Sequence, residues 1–96
     1  MRNVRVTEVP ADVQLIDVRE NDEWAAGHAR GAVHIPMSEF TSRLDEVDTT
    51  REVYVICKAG GRSMQVGQYL EQAQGANVIN VEGGTDAWVA AGLPTD

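Results

Sequence analysis

The chain reads as an α/β domain with a central, mainly parallel sheet flanked by helices on both faces. Three observations predict it. Apolar, β-branched runs alternate with helix-like segments from residue 13 to residue 91. Two of those runs, VQLIDV (13–18) and EVYVIC (52–57), are too continuously apolar for a strand with one wetted face. A composition of 43% apolar and 24% charged residues fits a packed globule and not a disordered chain. Ninety-six residues suffice for one domain, expected over 1–96, burying roughly 60–70% of its unfolded surface without a disulfide or metal staple.

The elements follow in order. Residues 13–18 form a strand buried on both sides. NDEWAAG (21–27) predicts a short helix, with Asn21 or Asp22 as N-cap, acids in the first turn and Gly27 at its stop. GAVHIP (31–36) is a short strand closed by proline. SEFTSRLDEV (38–47) places Phe40, Leu44 and Val47 at helical spacing behind a Ser38 cap. EVYVIC is the strongest strand. RSMQVGQYLEQAQ (62–74) is a helix with Ser63, Val66, Gly67, Leu70 and Ala73 on its inner face. Gly67 costs that helix about 1 kcal/mol relative to alanine, which points to close packing there. NVINV (77–81) is a strand, and TDAWVAA (85–91) is a helix ended by Gly-Leu-Pro.

Several function classes fall away. A net charge of −7 lacks the clustered cations that nucleic acid requires. One cysteine leaves no internal disulfide and no Cys-rich metal site, and it suits a reducing compartment. The first ten residues hold no apolar signal segment, and no run approaches a membrane span. The expected place is the cytoplasm, with no membrane or nucleic-acid partner and no cofactor or metal.

The chemistry concentrates in CKAGGR, Cys57 to Arg62. Ligands of parallel sheets gather at the carboxyl ends of strands, and Cys57 closes one. Gly60 and Gly61 allow a turn whose N–H groups converge, and the following helix adds its free N–H groups and dipole. Lys58, Ala59, Gly60, Gly61, Arg62 and Ser63 thus form an expected donor-binding cradle. Lys58 and Arg62 add two cations, with Arg62 expected to be catalytic alongside Cys57, and no carboxylate occurs between Val53 and Leu70. A thiol of pKa ~8.5 is only about 3% thiolate at pH 7, and lowering that pKa by ~2 takes about 2.7 kcal/mol. A helix terminus supplies ~0.3–1 kcal/mol and a charge-assisted hydrogen bond roughly 1.5–3. Two or three contacts therefore make Cys57 a nucleophile with no nearby histidine. Four residues between Cys57 and Arg62 make a small ring, better matched to one added sulfur atom than to a tetrahedral phosphate.

Three separated motifs now resemble the single-domain rhodanese, or thiosulfate sulfurtransferase, family. They are LIDVRENDEWAAGHARGAVHIP (15–36), VICKAGGRS (55–63) and NVEGGTDAWVAAGLP (80–94), together covering about the whole chain. The resemblance implies a rhodanese-like α/β fold with the active-site cysteine at the base of a six-residue loop. It also implies a double displacement. Cys57 takes the outer sulfur of thiosulfate, releases sulfite, and passes the sulfur from a persulfide to cyanide or a thiol. Lys58 matches a cationic position common in thiosulfate-using members. A related phosphatase branch has a loop one residue longer. Gly67, where a small residue such as Ala is common, and Gly75–Asn77 depart from the family pattern.

Other residues have blander readings. Cys57 alone could be a small buried hydrophobe, Arg62 an exposed helix-start residue, and Lys58 a solvated cation. Asp17 is expected to border the site and fix the Cys57 loop, with Arg19 paired to Glu23, both as supports. His28 is expected to hold its turn, His34 to lie near the surface, and Trp24 and Trp88 to pack in or near the core. Ser63 is expected to support the loop. Two alternatives to the sulfurtransferase stay open: a non-enzymatic persulfide carrier or sensor serving a protein partner, and a different enzyme, a phosphatase or arsenate reductase.

Overall fold

The computed structural model describes residues 1–96. Five parallel strands form one sheet in the order β1-β5-β4-β2-β3. They are β1 (Arg2–Arg5), β2 (Leu15–Asp17), β3 (Val33–His34), β4 (Val53–Ile56) and β5 (Val78–Glu82). Three α-helices, α1 (Asn21–Ala25), α2 (Gly61–Gln74) and α3 (Gly84–Ala90), are joined by 3-10 segments at Val6–Glu8 and Met37–Glu46.

β4 shows why its sequence is apolar throughout. Val53, Val55 and Cys57 join the core beneath α2, while Tyr54 and Ile56 join the opposite core beneath α3. Every residue from Val53 to Cys57 is buried. Each full burial of a Val or Ile side chain is worth about 1.5–3 kcal/mol, so both faces of this central strand hold the sheet between its helices. Phe40, Val66 and Leu70 close one layer, and Val6 and Trp88 the other.

Several local expectations give way. β1 was not anticipated, because RNVR carries one half-buried apolar residue, Val4, and no alternation. It succeeds as an edge strand by pairing with β5, from Arg2 opposite Ile79 to Arg5 opposite Glu82. The N-cap of α1 is Glu20, not Asn21 or Asp22, and the Glu20 N–H donates to Glu23 Oε1 at 3.1 Å. Residues 37–46 wind as 3-10 turns and leave helical geometry at Arg43. There the guanidinium spans Glu39, Glu46 and the carbonyl of His34, tying the segment to β3. Ser38 does not cap it; its hydroxyl donates to Glu20 Oε1 at 2.7 Å.

In α2 the expected inner face holds through Leu70, but Ala73 is exposed. The helix ends at Gly75, whose φ of +63° turns the chain so that Ala76 covers the core instead. Close packing at Gly67 is real. A Cβ there would stand 2.5 Å from Met1 Sδ and 3.0 Å from Val78 Cγ1.

Candidate active site

β4 runs into the core with all its side chains buried, and the chain turns sharply at its end. Gly60, at a φ of +119°, makes that turn and starts α2. The result folds the first N–H groups of α2 back over Cys57. Cys57 Sγ accepts the Gly60 N–H at 3.0 Å and lies 3.3 Å from Ser63 Oγ. Burial pushes the thiol up. The Ser63 hydroxyl, then the N–H groups of Ser63, Gly60 and Ala59, outweigh it and leave the thiol below its ordinary value.

Ser63 belongs to a buried relay that the sequence did not announce. Its hydroxyl donates to Asn80 Oδ1 at 2.6 Å, and Asn80 Nδ2 donates to Asn3 Oδ1 at 3.0 Å. Asn80 occupies β5 where an apolar residue would otherwise face α2, so it exists there only with its partners satisfied. Ser63 Oγ also lies 3.1 Å from the Gly60 carbonyl. The single hydroxyl proton thus has three acceptors within reach: Asn80 Oδ1, the Gly60 carbonyl and Cys57 Sγ.

The other side of the loop is pinned by α3. The Thr85 and Asp86 N–H groups donate to the carbonyls of Cys57 and Lys58 at 2.8 and 3.1 Å, and Thr85 Oγ1 adds a bond to Cys57 O. Such an approach excludes side chains. A Cβ on Gly84, whose φ is +58°, would stand 2.4 Å from Cys57 O. The paired glycines of NVEGGTDAW were the available signal for this role.

The expected supports are rearranged. Asp17 does not fix the Cys57 loop, because both its oxygens are taken by Arg19 at 2.8–3.1 Å. Arg19 does not pair with the Glu23 carboxylate; it donates to the backbone carbonyls of Glu23 and Gly27. The Glu23 carboxylate goes instead to Arg62, at 2.7 and 2.9 Å. That guanidinium, against the pull of burial and with help from the Glu20 N–H, holds Glu23 down to about 2. Lys58 Nζ pairs with Asp86 at 2.8 Å. Both cations expected beside the thiol are thus engaged with carboxylates, and the groups in contact with Sγ are Gly60 N–H and Ser63 Oγ.

His28 is turned to Trp24, with Nδ1 2.9 Å from the Trp24 carbonyl. Its ring stacks on Trp24 at 3.4 Å between centroids, and His34 stacks on Trp24 at 4.6 Å. Two imidazoles that close could not share one face, so Trp24 is held between them, half-buried. His34 Nε2 lies 2.6 Å from the Arg19 carbonyl. The three rings brace the turn that carries Glu23. Trp88 is buried and donates to Pro94 O.

A concavity of about 740 Å³ lies elsewhere, between Val6, Pro10, Leu15, Arg51, Trp88 and Leu93. It contains neither Cys57 nor any loop residue. The candidate site is the thiol with its donors, and not this hollow.

The family model described as a rhodanese-like domain matches residues 7–91. The chain belongs to that family. It is 43% identical to the Bacillus subtilis protein YtwF, over 84% of this chain and 78% of that protein. It is 39% identical to a sulfurtransferase of Allochromatium vinosum, over 86% of this chain and 78% of the relative. It is 35% identical to the thiosulfate sulfurtransferase GlpE of Actinobacillus pleuropneumoniae, over 85% of this chain and 76% of GlpE. A crystal structure of a Staphylococcus saprophyticus protein superposes with a TM-score of 0.86 at 43% identity, covering 98% of this chain and 99% of that one. Sulfur transfer of the rhodanese type is the activity these relationships support.

Proposed function

We propose that residues 1–96 act as one rhodanese domain that moves the sulfane sulfur of thiosulfate, or a similar donor, through a persulfide on Cys57. The observation that carries this reading is Sγ at the base of the six-residue loop, 3.0 Å from the Gly60 N–H and 3.3 Å from the Ser63 hydroxyl. Cys57 is the nucleophile. The Sγ thiolate attacks the outer sulfur of the donor, and the donor's S–S bond breaks with its electron pair leaving on sulfite. The persulfide anion then occupies the ring of N–H groups from Ala59 to Ser63, which stabilises it as it does the thiolate. Cyanide or a thiolate attacks the outer sulfur and departs with it, and Cys57 returns to the thiolate. Lys58 and Arg62 stand at the rim. A free thiol with this role suits a reducing compartment such as the cytoplasm.

Intact mass after incubation with thiosulfate tests the reading. The wild type is expected to gain one sulfur atom, removed by cyanide, while Cys57→Ser gains none. A folded wild type whose thiol stays free would reject thiosulfate as donor and favour a persulfide carrier loaded by a protein. A gain that persists in Cys57→Ser would reject the site.

A further inference from the structure

A doubly charged sulfur donor approaching Cys57 would meet two cations, Lys58 and Arg62, and neither is free. The two pairs differ in strength. Lys58 and Asp86 meet through one contact with both side chains more than half exposed. Arg62 and Glu23 are a third and a quarter exposed and meet through two parallel bonds, a geometry that holds a guanidinium firmly. The Glu20 N–H fixes the Glu23 carboxylate from behind, and the Trp24 stack fixes its helix. With each cation matched by a carboxylate, the rim adds no net positive charge to a chain at −7.

We propose that Glu23 is a specificity-determining residue: it withholds Arg62 from doubly charged donors and leaves the loop N–H groups as the binding element. Those groups suit singly charged or neutral sulfane donors of the organic persulfide class. In that transfer Sγ attacks the terminal sulfur of R–S–SH. The S–S bond of the donor breaks, its electron pair leaves on the RS thiolate, and the proton stays with the transferred sulfur. The inference rests on the sulfurtransferase reading above.

The test compares KM for thiosulfate and for cysteine persulfide, with cyanide as acceptor, in wild type, Glu23→Gln and Asp86→Asn. Releasing Arg62 in Glu23→Gln should lower the thiosulfate KM about tenfold, the scale of one charge-assisted contact, and leave the persulfide KM within about twofold. Asp86→Asn, which frees Lys58, should lower the thiosulfate KM by less than Glu23→Gln does, since its pair is exposed and holds the cation weakly. A gain in affinity cannot arise from loosened folding. A thiosulfate KM unchanged or raised in Glu23→Gln overturns the proposal. A second measurement needs no variant: the wild-type thiosulfate KM should stay flat or fall as salt rises, because the remaining field is repulsive. A KM that climbs steeply with salt would mean available cations and also overturns it. Wild type that loads from cysteine persulfide while either result goes the wrong way sinks only this inference. Wild type that loads from neither donor sinks the sulfurtransferase reading with it.

Discussion

The carboxyl ends of β2 and β4 lie side by side in the sheet, Asp17 opposite Ile56, and they do opposite things with buried polar groups. At the end of β2 a carboxylate and a guanidinium satisfy each other. Asp17 is fully buried and Arg19 is 5% exposed, and the spare Arg19 donors close on main-chain carbonyls. Nothing there is left to react. At the end of β4 a buried thiol hydrogen-bonds to no charged group, only to an N–H group and one hydroxyl. Fixed dipoles stabilise an anion without neutralising it by a partner that must be displaced. The same place in the fold becomes a brace in one strand and the proposed reactive centre in the next.

The comparison breaks most visibly at β2. Asp17→Ala would leave the Arg19 guanidinium buried and unpaired, and should cost about 3–5 kcal/mol in urea unfolding. Replacing both residues by apolar ones of similar volume should recover much of that loss, and a double mutant as unstable as the single would refute the brace. Persulfide formation per folded molecule should stay within about twofold, since no contact reaches Sγ.

Next comes the joint between loop and α3. Gly84→Ala forces a Cβ against Cys57 O at a left-handed φ, and should cost about 3 kcal/mol while sharply slowing persulfide formation. A variant of wild-type rate would show that the loop does not depend on α3.

Ser63→Ala works in the other sense. It leaves Asn80 Oδ1 without its donor, about 1–2 kcal/mol, but removes the largest of the contacts lowering the thiol pKa. Alkylation of Cys57 followed against pH should therefore shift to higher pH in the variant. An unmoved profile would assign the thiolate to backbone N–H groups alone.

The smallest effect concerns Glu23. Its value of about 2 lies below the ordinary 4.5, so the Arg62 pair contributes stability that is fully present above pH 4.5 and is lost as pH falls toward 2. The partly exposed pair should contribute no more than about 1 kcal/mol. Acid unfolding of Glu23→Gln should lack that component, and identical acid limbs would contradict the pairing.

What was readable in the residues was local or periodic. The alternation of strand and helix, the double-sided burial of β4 and the strand–turn–helix around Cys57 each lie within a short span of chain. β1 escaped because an edge strand needs little apolar surface, and RNVR offers only Val4. The break at Arg43 escaped because Phe40, Leu44 and Val47 have a spacing that an α-helix and a bent 3-10 segment can share. Asn80 and Thr85 gave no pattern at all; their roles come from what faces them.

Residue order alone settles which elements form and that a thiol, two glycines and a helix start stand together, because those relations span six residues of chain. Folding settles the rest. Arg62 meets a glutamate 39 residues away, Lys58 an aspartate 28 away, and Asp17 keeps the arginine two residues on. Several carboxylates were equally plausible partners in the chain. Ion pairs and hydrogen bonds are decided within a few ångströms, and only strand order and helix placement bring one candidate that close.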